Sequence, residues 1–139
     1  MTDGQMWDGV ESLLSAARSR LSRLHPGEAQ AAVREGAGLV DIRPDWQRRE
    51  EGEIPGALIV ERNHLEWRLD PGSPDRAGQA EPGRRWIVFC SEGYTSSLAA
   101  DVLNSIGVPA TDIVGGYVAW AAAGLPTRHG VTPRGEIVS

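Results

Sequence analysis

The chain has no lysine: all fourteen of its basic residues are arginine, and its formal charge is −5. A net negative chain lacks the clustered positive charge of a broad nucleic-acid footprint, so nucleic acid is not an expected partner. The arginine bias itself reads as a GC-rich coding preference rather than as selection for anion binding. Cysteine occurs once, at Cys90, which rules out an intramolecular disulfide and with it an oxidative scaffold. No apolar run approaches the length a bilayer demands, so no membrane association is expected. The opening MTDGQMWDGVES is acidic and has no basic stretch leading into an apolar core, unlike a secretory leader. The expectation is a cytoplasmic, reducing compartment. Histidine is also scarce, with His25, His64 and His129 far apart. No Cys/His cluster stands at metal-ligand spacing, so no metal is expected.

What the 139 residues do contain is ordinary for one globular domain, 40% apolar and 24% charged. From Trp7 to about Leu24 the apolar residues Trp7, Val10, Leu13, Leu14, Ala17 and Leu21 recur at helical spacing. Arg18, Arg20 and Arg23 fall on the polar face. This predicts an amphipathic helix that either docks on the domain or meets a partner. His25-Pro26 opens a second helix to about Glu35, with proline at a permitted first-turn position. GLVDIR (38–43), IPGALIV (54–60), WIVFC (86–90) and DIVGG (112–116) read as strands or strand ends. DWQRREEG, LEWRL (65–69), the stretch carrying Leu98, Ala99, Val102, Leu103 and Ile106, and YVAWAAAG read as helices. Residues 70–84 are a Pro/Gly-rich loop, and the tail from Thr127 has no periodicity. Alternating strands and helices predict an α/β fold, a mainly parallel central sheet flanked by helices on both faces.

Cys90 ends the most apolar strand, and a helix starts a few residues later. Ligands of open α/β sheets bind beyond the carboxyl ends of the strands. The loop Ser91-Glu92-Gly93-Tyr94-Thr95 has one glycine among small polar residues, a composition that lets backbone N–H groups turn inward as an anion nest. The helix N-terminus near Ser96 and Ser97 adds partial positive charge. Both should favour a thiolate. A lone cysteine at the end of an apolar strand is otherwise a small buried hydrophobe, but such a filler requires no glycine-bearing polar turn. A cysteine–histidine hydrolase would need an oriented imidazole. His25 and His129 read as solvated; His64 follows a strand end without further context.

LVDIRPDWQRREEGEIPGALIVER, IVFCSEGYTSSLAADVLNSIG and DIVGGYVAWAAAGLP, taken together in this order, resemble a single rhodanese (sulfurtransferase) domain over about residues 21–126. DIR (41–43), GEIPGA (52–57), the cysteine loop and GGYVAW (115–120) carry the resemblance. It implies a rhodanese-like fold with Cys90 as nucleophile and Ser91, Glu92, Gly93, Tyr94, Thr95 and Ser96 around its sulfur. It further implies a double displacement: a donor of the thiosulfate or mercaptopyruvate type leaves a persulfide on Cys90. A thiophilic acceptor, cyanide or a thiol, including a protein thiol, then removes that sulfur, without a cofactor. Asp41 and Arg43 match the family's DxR element, either as a structural salt bridge or as part of the site. Arg62, after another strand end, either meets an anionic donor or is a plain exposed arginine.

The chain departs from the family pattern at Glu53, where histidine is frequent, and little effect is expected there. It departs again at Glu92: an inward carboxylate would oppose dianionic thiosulfate, while an outward one would not. CSEGYT is nearer the neutral loops of mercaptopyruvate-using relatives than the basic loops of thiosulfate-using ones. Related phosphatases close a longer loop with an arginine, where this chain has Ser96. The organisation expected is a helical extension over 1–20, the rhodanese-like domain over 21–126 and a tail over 127–139. The alternative to a sulfurtransferase is a non-catalytic rhodanese-like binding or regulatory module, with the N-terminal helix as its docking surface.

Overall fold

The computed structural model describes residues 8–129, 132 and 137–138. In chain order the elements are α1 (Gly9–Ser19), α2 (Pro26–Arg34), β1 (Gly38–Asp41), α3 (Asp45–Glu51) and β2 (Leu58–Val60). A 3-10 turn (Arg62–His64) leads into α4 (Leu65–Leu69). Then follow β3 (Trp86–Phe89), α5 (Thr95–Ser105), β4 (Ala110–Asp112), α6 (Gly116–Ala122) and β5 (Ile137–Val138). The five strands form one sheet in the order β4-β3-β1-β2-β5, and every pairing in it is parallel.

The two-residue alternation of strand side chains divides the core in two. Val40, Leu58, Val60, Trp86, Val88 and Cys90 pack with Ala99, Ala100 and Leu103 of α5 and with Leu65 and Leu69 of α4. Leu39, Ile87 and Phe89 pack with Ala29 of α2 and Tyr117 and Trp120 of α6. Both faces are therefore covered, which is why β3 reads as an unbroken apolar run. α2 begins where expected because Pro26 needs no hydrogen bond there and the Glu28 carboxylate accepts from the His25 amide at 2.9 Å.

Three readings of the sequence need correction. The N-terminal helix ends at Ser19, not near Leu24; the chain then extends, and Leu24 bridges Ile113 in parallel. Its predicted apolar face is buried only at Leu14 and Ala17, while Val10 and Leu13 are 67% and 57% exposed; Trp7 lies outside the described residues. Two arginines of the polar face tie this segment to α5: Arg20 forms a fork with Asp101 (2.8 and 2.7 Å), and Arg18 donates to Ser97 at 3.1 Å. The DIVGG strand lies earlier, at Ala110–Asp112, and its glycines belong to the start of α6. The tail after Thr127 returns to the domain. Glu53 and Arg128 exchange two backbone bonds of 2.8 Å, and β5 adds to the edge of β2.

Glu53 is consequently more than an exchangeable neighbour of the site. It is buried, accepts from Arg48 at 2.6 Å, and also accepts from the Thr132 hydroxyl. Burial raises its carboxyl, but Thr132 and Arg48 outweigh that and hold it below the usual glutamate value. A depressed folded value contributes stability that is complete above the unfolded pKa of about 4.3. That stability is lost as pH falls through the lower, folded value. The melting-temperature gap between wild type and Glu53→Gln should therefore be widest near neutrality and close in acid. A gap that stays constant into strong acid would contradict this account of Glu53.

Candidate active site

Alternation along β3 sends Trp86, Val88 and Cys90 to the face that α5 covers, so the sulfur lies on the side of the sheet from which the next helix starts. Cys90 is the first residue past the strand and is 6% exposed. The chain turns at once through Ser91–Tyr94, with Gly93 at φ +87°, and α5 begins at Thr95. That left-handed conformation aims the Gly93 amide at Cys90 Sγ, 3.3 Å away. A Cβ at Gly93 would also stand 2.9 Å from the Gly115 nitrogen.

The carbonyls of the loop are held from outside. Tyr117 and Val118, in the first turn of α6, donate their amides to the Cys90 and Ser91 carbonyls at 2.9 and 3.0 Å. Gly116, at φ +59°, permits this approach, because a Cβ there would lie 2.6 Å from the Cys90 oxygen. Gly93 O accepts from Arg18 Nη2 at 2.7 Å and from Arg23 Nη2 at 3.1 Å. In a trans peptide the N–H points opposite to the C=O. Anchoring these carbonyls therefore turns the amides of Ser91, Glu92 and Tyr94 away from the anchors, the arrangement of an anion nest.

Not all of the residues singled out from the sequence meet this loop; Arg62 makes no described contact with it. Ser91 donates its hydroxyl to Glu51 of α3 at 2.9 Å, and Glu51 in turn accepts from Arg43 at 3.1 Å. Glu92, Tyr94 and Thr95 are exposed, and the Arg18 guanidinium lies 5.6 Å above the Tyr94 ring. Ser96 is fully buried and turns its hydroxyl to Asp112 at 2.8 Å, as does Ser97. Arg62 is held by Glu66, one turn on, at 2.8 Å.

Asp41 and Arg43 form a buried pair. Arg43 donates to both carboxylate oxygens of Asp41 (3.0 and 2.7 Å) and to the Gly52 carbonyl at 2.8 Å, with Tyr117 4.3 Å beneath its guanidinium. Burial pushes the Asp41 carboxyl above its usual range against the pull of Arg43. The pair reaches the cysteine loop at one remove, through Glu51 to Ser91 and through the Tyr117 ring to the turn that holds the Cys90 carbonyl. Its geometry is that of a tie between strand β1 and the end of α3.

Among the residues of this arrangement that were not singled out as site residues are Arg18, Arg23, Glu51 and Asp112, and the α6 start at Gly116–Val118. Asp112 is fully buried and collects the Ser96 and Ser97 hydroxyls and a fork from Arg23 (2.8 and 3.2 Å). The available signal was a carboxylate at the end of a buried strand, the same signal Asp41 carries. No local signal distinguishes Arg18 or Arg23 from solvated helix arginines, since their partners lie 70 or more residues away in sequence.

Among solved structures, a protein of unknown function from Rhodopseudomonas palustris, described as a possible tyrosine phosphatase, is 30% identical with a TM-score of 0.79. The similarity covers 92% of this chain and 99% of that one. A thiosulfate sulfurtransferase from Pseudomonas aeruginosa is 26% identical with a TM-score of 0.63, over 80% of this chain, which spans only 20% of that larger protein. A rhodanese-like domain protein from Staphylococcus aureus shares the fold at 20% identity and a TM-score of 0.61, over 80% of this chain and all of its own length. No curated protein is significantly similar in sequence. The sequence model of the rhodanese-like domain matches residues 25–123, the greater part of the chain, and the chain belongs to that family.

Proposed function

We propose that the protein is a sulfurtransferase that carries sulfur as a persulfide on Cys90. The Cys90 thiolate attacks the outer sulfur of the donor. The donor's bond to that sulfur breaks, and its electron pair leaves with sulfite from thiosulfate or with pyruvate, as its enolate, from mercaptopyruvate. A thiol or cyanide then attacks the outer persulfide sulfur, and Cys90 departs as thiolate. The observation that carries this reading is the loop itself. An amide donates to Sγ, and the surrounding carbonyls are tied back, so that negative charge on either sulfur meets N–H dipoles rather than lone pairs.

Phosphate chemistry is less well supported. The arginine that clamps the oxyanion in phosphatase loops is replaced by Ser96, whose hydroxyl is committed to buried Asp112.

Steady-state turnover tests the proposal. Initial rates with varied donor and acceptor should give the parallel double-reciprocal lines of a double displacement, and Cys90→Ser should give none. Glu92 is exposed, the outward case, so Glu92→Gln should change kcat/KM for thiosulfate by no more than about twofold, and by less in added salt. Turnover that survives in Cys90→Ser would refute the proposal.

A further inference from the structure

We infer that Arg18 and Arg23, which lie outside the matched segment 25–123, are positioning residues for the Cys90 loop, so that the N-terminal segment is a working part of the active site rather than a free docking surface. The inference rests on Cys90 being the nucleophile.

Both guanidinium groups converge on one atom, the Gly93 carbonyl oxygen, at 2.7 and 3.1 Å. Hydrogen bonds from a charged donor are shorter and stronger than neutral ones. Two of them on one carbonyl fix the peptide that follows Gly93 and polarise it, which strengthens its own N–H, that of Tyr94, as a donor on the opposite side. They also hold Gly93 in the left-handed conformation that aims its amide at Sγ.

The two arginines differ in how their charge is spent. Arg23 is neutralised by its fork with Asp112. Among the described residues no carboxylate pairs with Arg18: its Nε donates to Ser97 Oγ, its Nη2 to Gly93 O, and its guanidinium lies over Tyr94. Among the described residues, Arg18 therefore brings a positive charge without a carboxylate partner to the outer wall of the loop. The other charges facing that loop are Asp112 from the end of β4, Glu51 with Arg43 behind it, and Glu92 in the loop itself. Because α1 packs against α5 and buries Leu14 and Ala17, the helix delivers Arg18 on a fixed support.

The pH profile of Cys90 alkylation by iodoacetamide tests this on the full chain. Arg18→Met and Arg18→Gln should both move the profile to higher pH and slow alkylation near neutrality by about three- to tenfold. Arg18→Lys, which keeps the charge and loses the fork, should fall between them and wild type. Arg20→Met is the control: it removes the exposed pair that joins the residue just past α1 to Asp101 of α5, and should lower the melting temperature without moving the profile. A wild-type profile in Arg18→Met and Arg18→Gln, or an equal shift in Arg20→Met, would overturn the inference. Iodoacetamide reads the thiol with no sulfur donor present. A chain that fails to accept sulfur would thus refute the proposed activity and leave this test standing.

Discussion

Arg43→Met should cost about 3–5 kcal/mol of stability, because it leaves the Asp41 carboxylate buried without its hydrogen-bonded counter-charge, with Arg48 as a weaker influence. The Asp41 and Arg43 side chains are 1% and 0% exposed, and Arg43 satisfies Asp41, Glu51 and the Gly52 carbonyl together. In a domain of this size the loss corresponds to roughly 10–15 °C in melting temperature. The double variant Asp41→Asn/Arg43→Met should recover part of it, since the penalty comes from stranding one charge rather than from losing a net attraction. Thermal or urea melts of the two variants check both statements. Because the pair touches the loop only at one remove, through Glu51 and Tyr117, the folded fraction of Arg43→Met should still take up sulfur. A variant that keeps wild-type stability and loses all sulfur uptake would place Arg43 in the chemistry instead.

Gly116→Ala should damage stability and the site at once. At φ +59° any side chain costs about 1–2 kcal/mol. The added Cβ would also stand 2.6 and 2.7 Å from the Cys90 and Ser91 carbonyl oxygens, backbone atoms that cannot swing away. The start of α6 must retreat, weakening the bonds from Tyr117 and Val118 that hold the loop, each worth about 1 kcal/mol. The sum is roughly 3–4 kcal/mol. Since the retreat moves the carbonyls flanking the sulfur, single-turnover sulfur loading should slow by roughly 10- to 100-fold in the folded protein. Loading at the wild-type rate would mean that the GGY turn shapes the fold and not the site.

What could be read in the sequence was local. The apolar run WIVFC placed Cys90 at a strand end, and Pro26 placed the start of α2. The loop composition marked the nest. What escaped was set by partners distant in the chain. Val10 and Leu13 share a helical stripe with Leu14 and Ala17, yet which part of that stripe is covered depends on where α5 lies. Arg18 and Arg23 look like solubilising charges until Gly93, some 70 residues on, is folded against them. β5 is two residues long, too short to show a period of two, and its pairing with β2 crosses most of the sequence. Ser96 was read as a loop-facing position, whereas its hydroxyl turns inward to Asp112 at the end of β4.

The account rests on sulfur passing through Cys90, and intact mass spectrometry reads that directly. After incubation with thiosulfate or with mercaptopyruvate and removal of excess donor, the wild-type chain should carry one added sulfur with at least one of the two. Cyanide or a thiol should remove it, and Cys90→Ser should never acquire it. A folded wild-type chain that stays unmodified with both donors, or a sulfur adduct that persists in Cys90→Ser, would contradict the account.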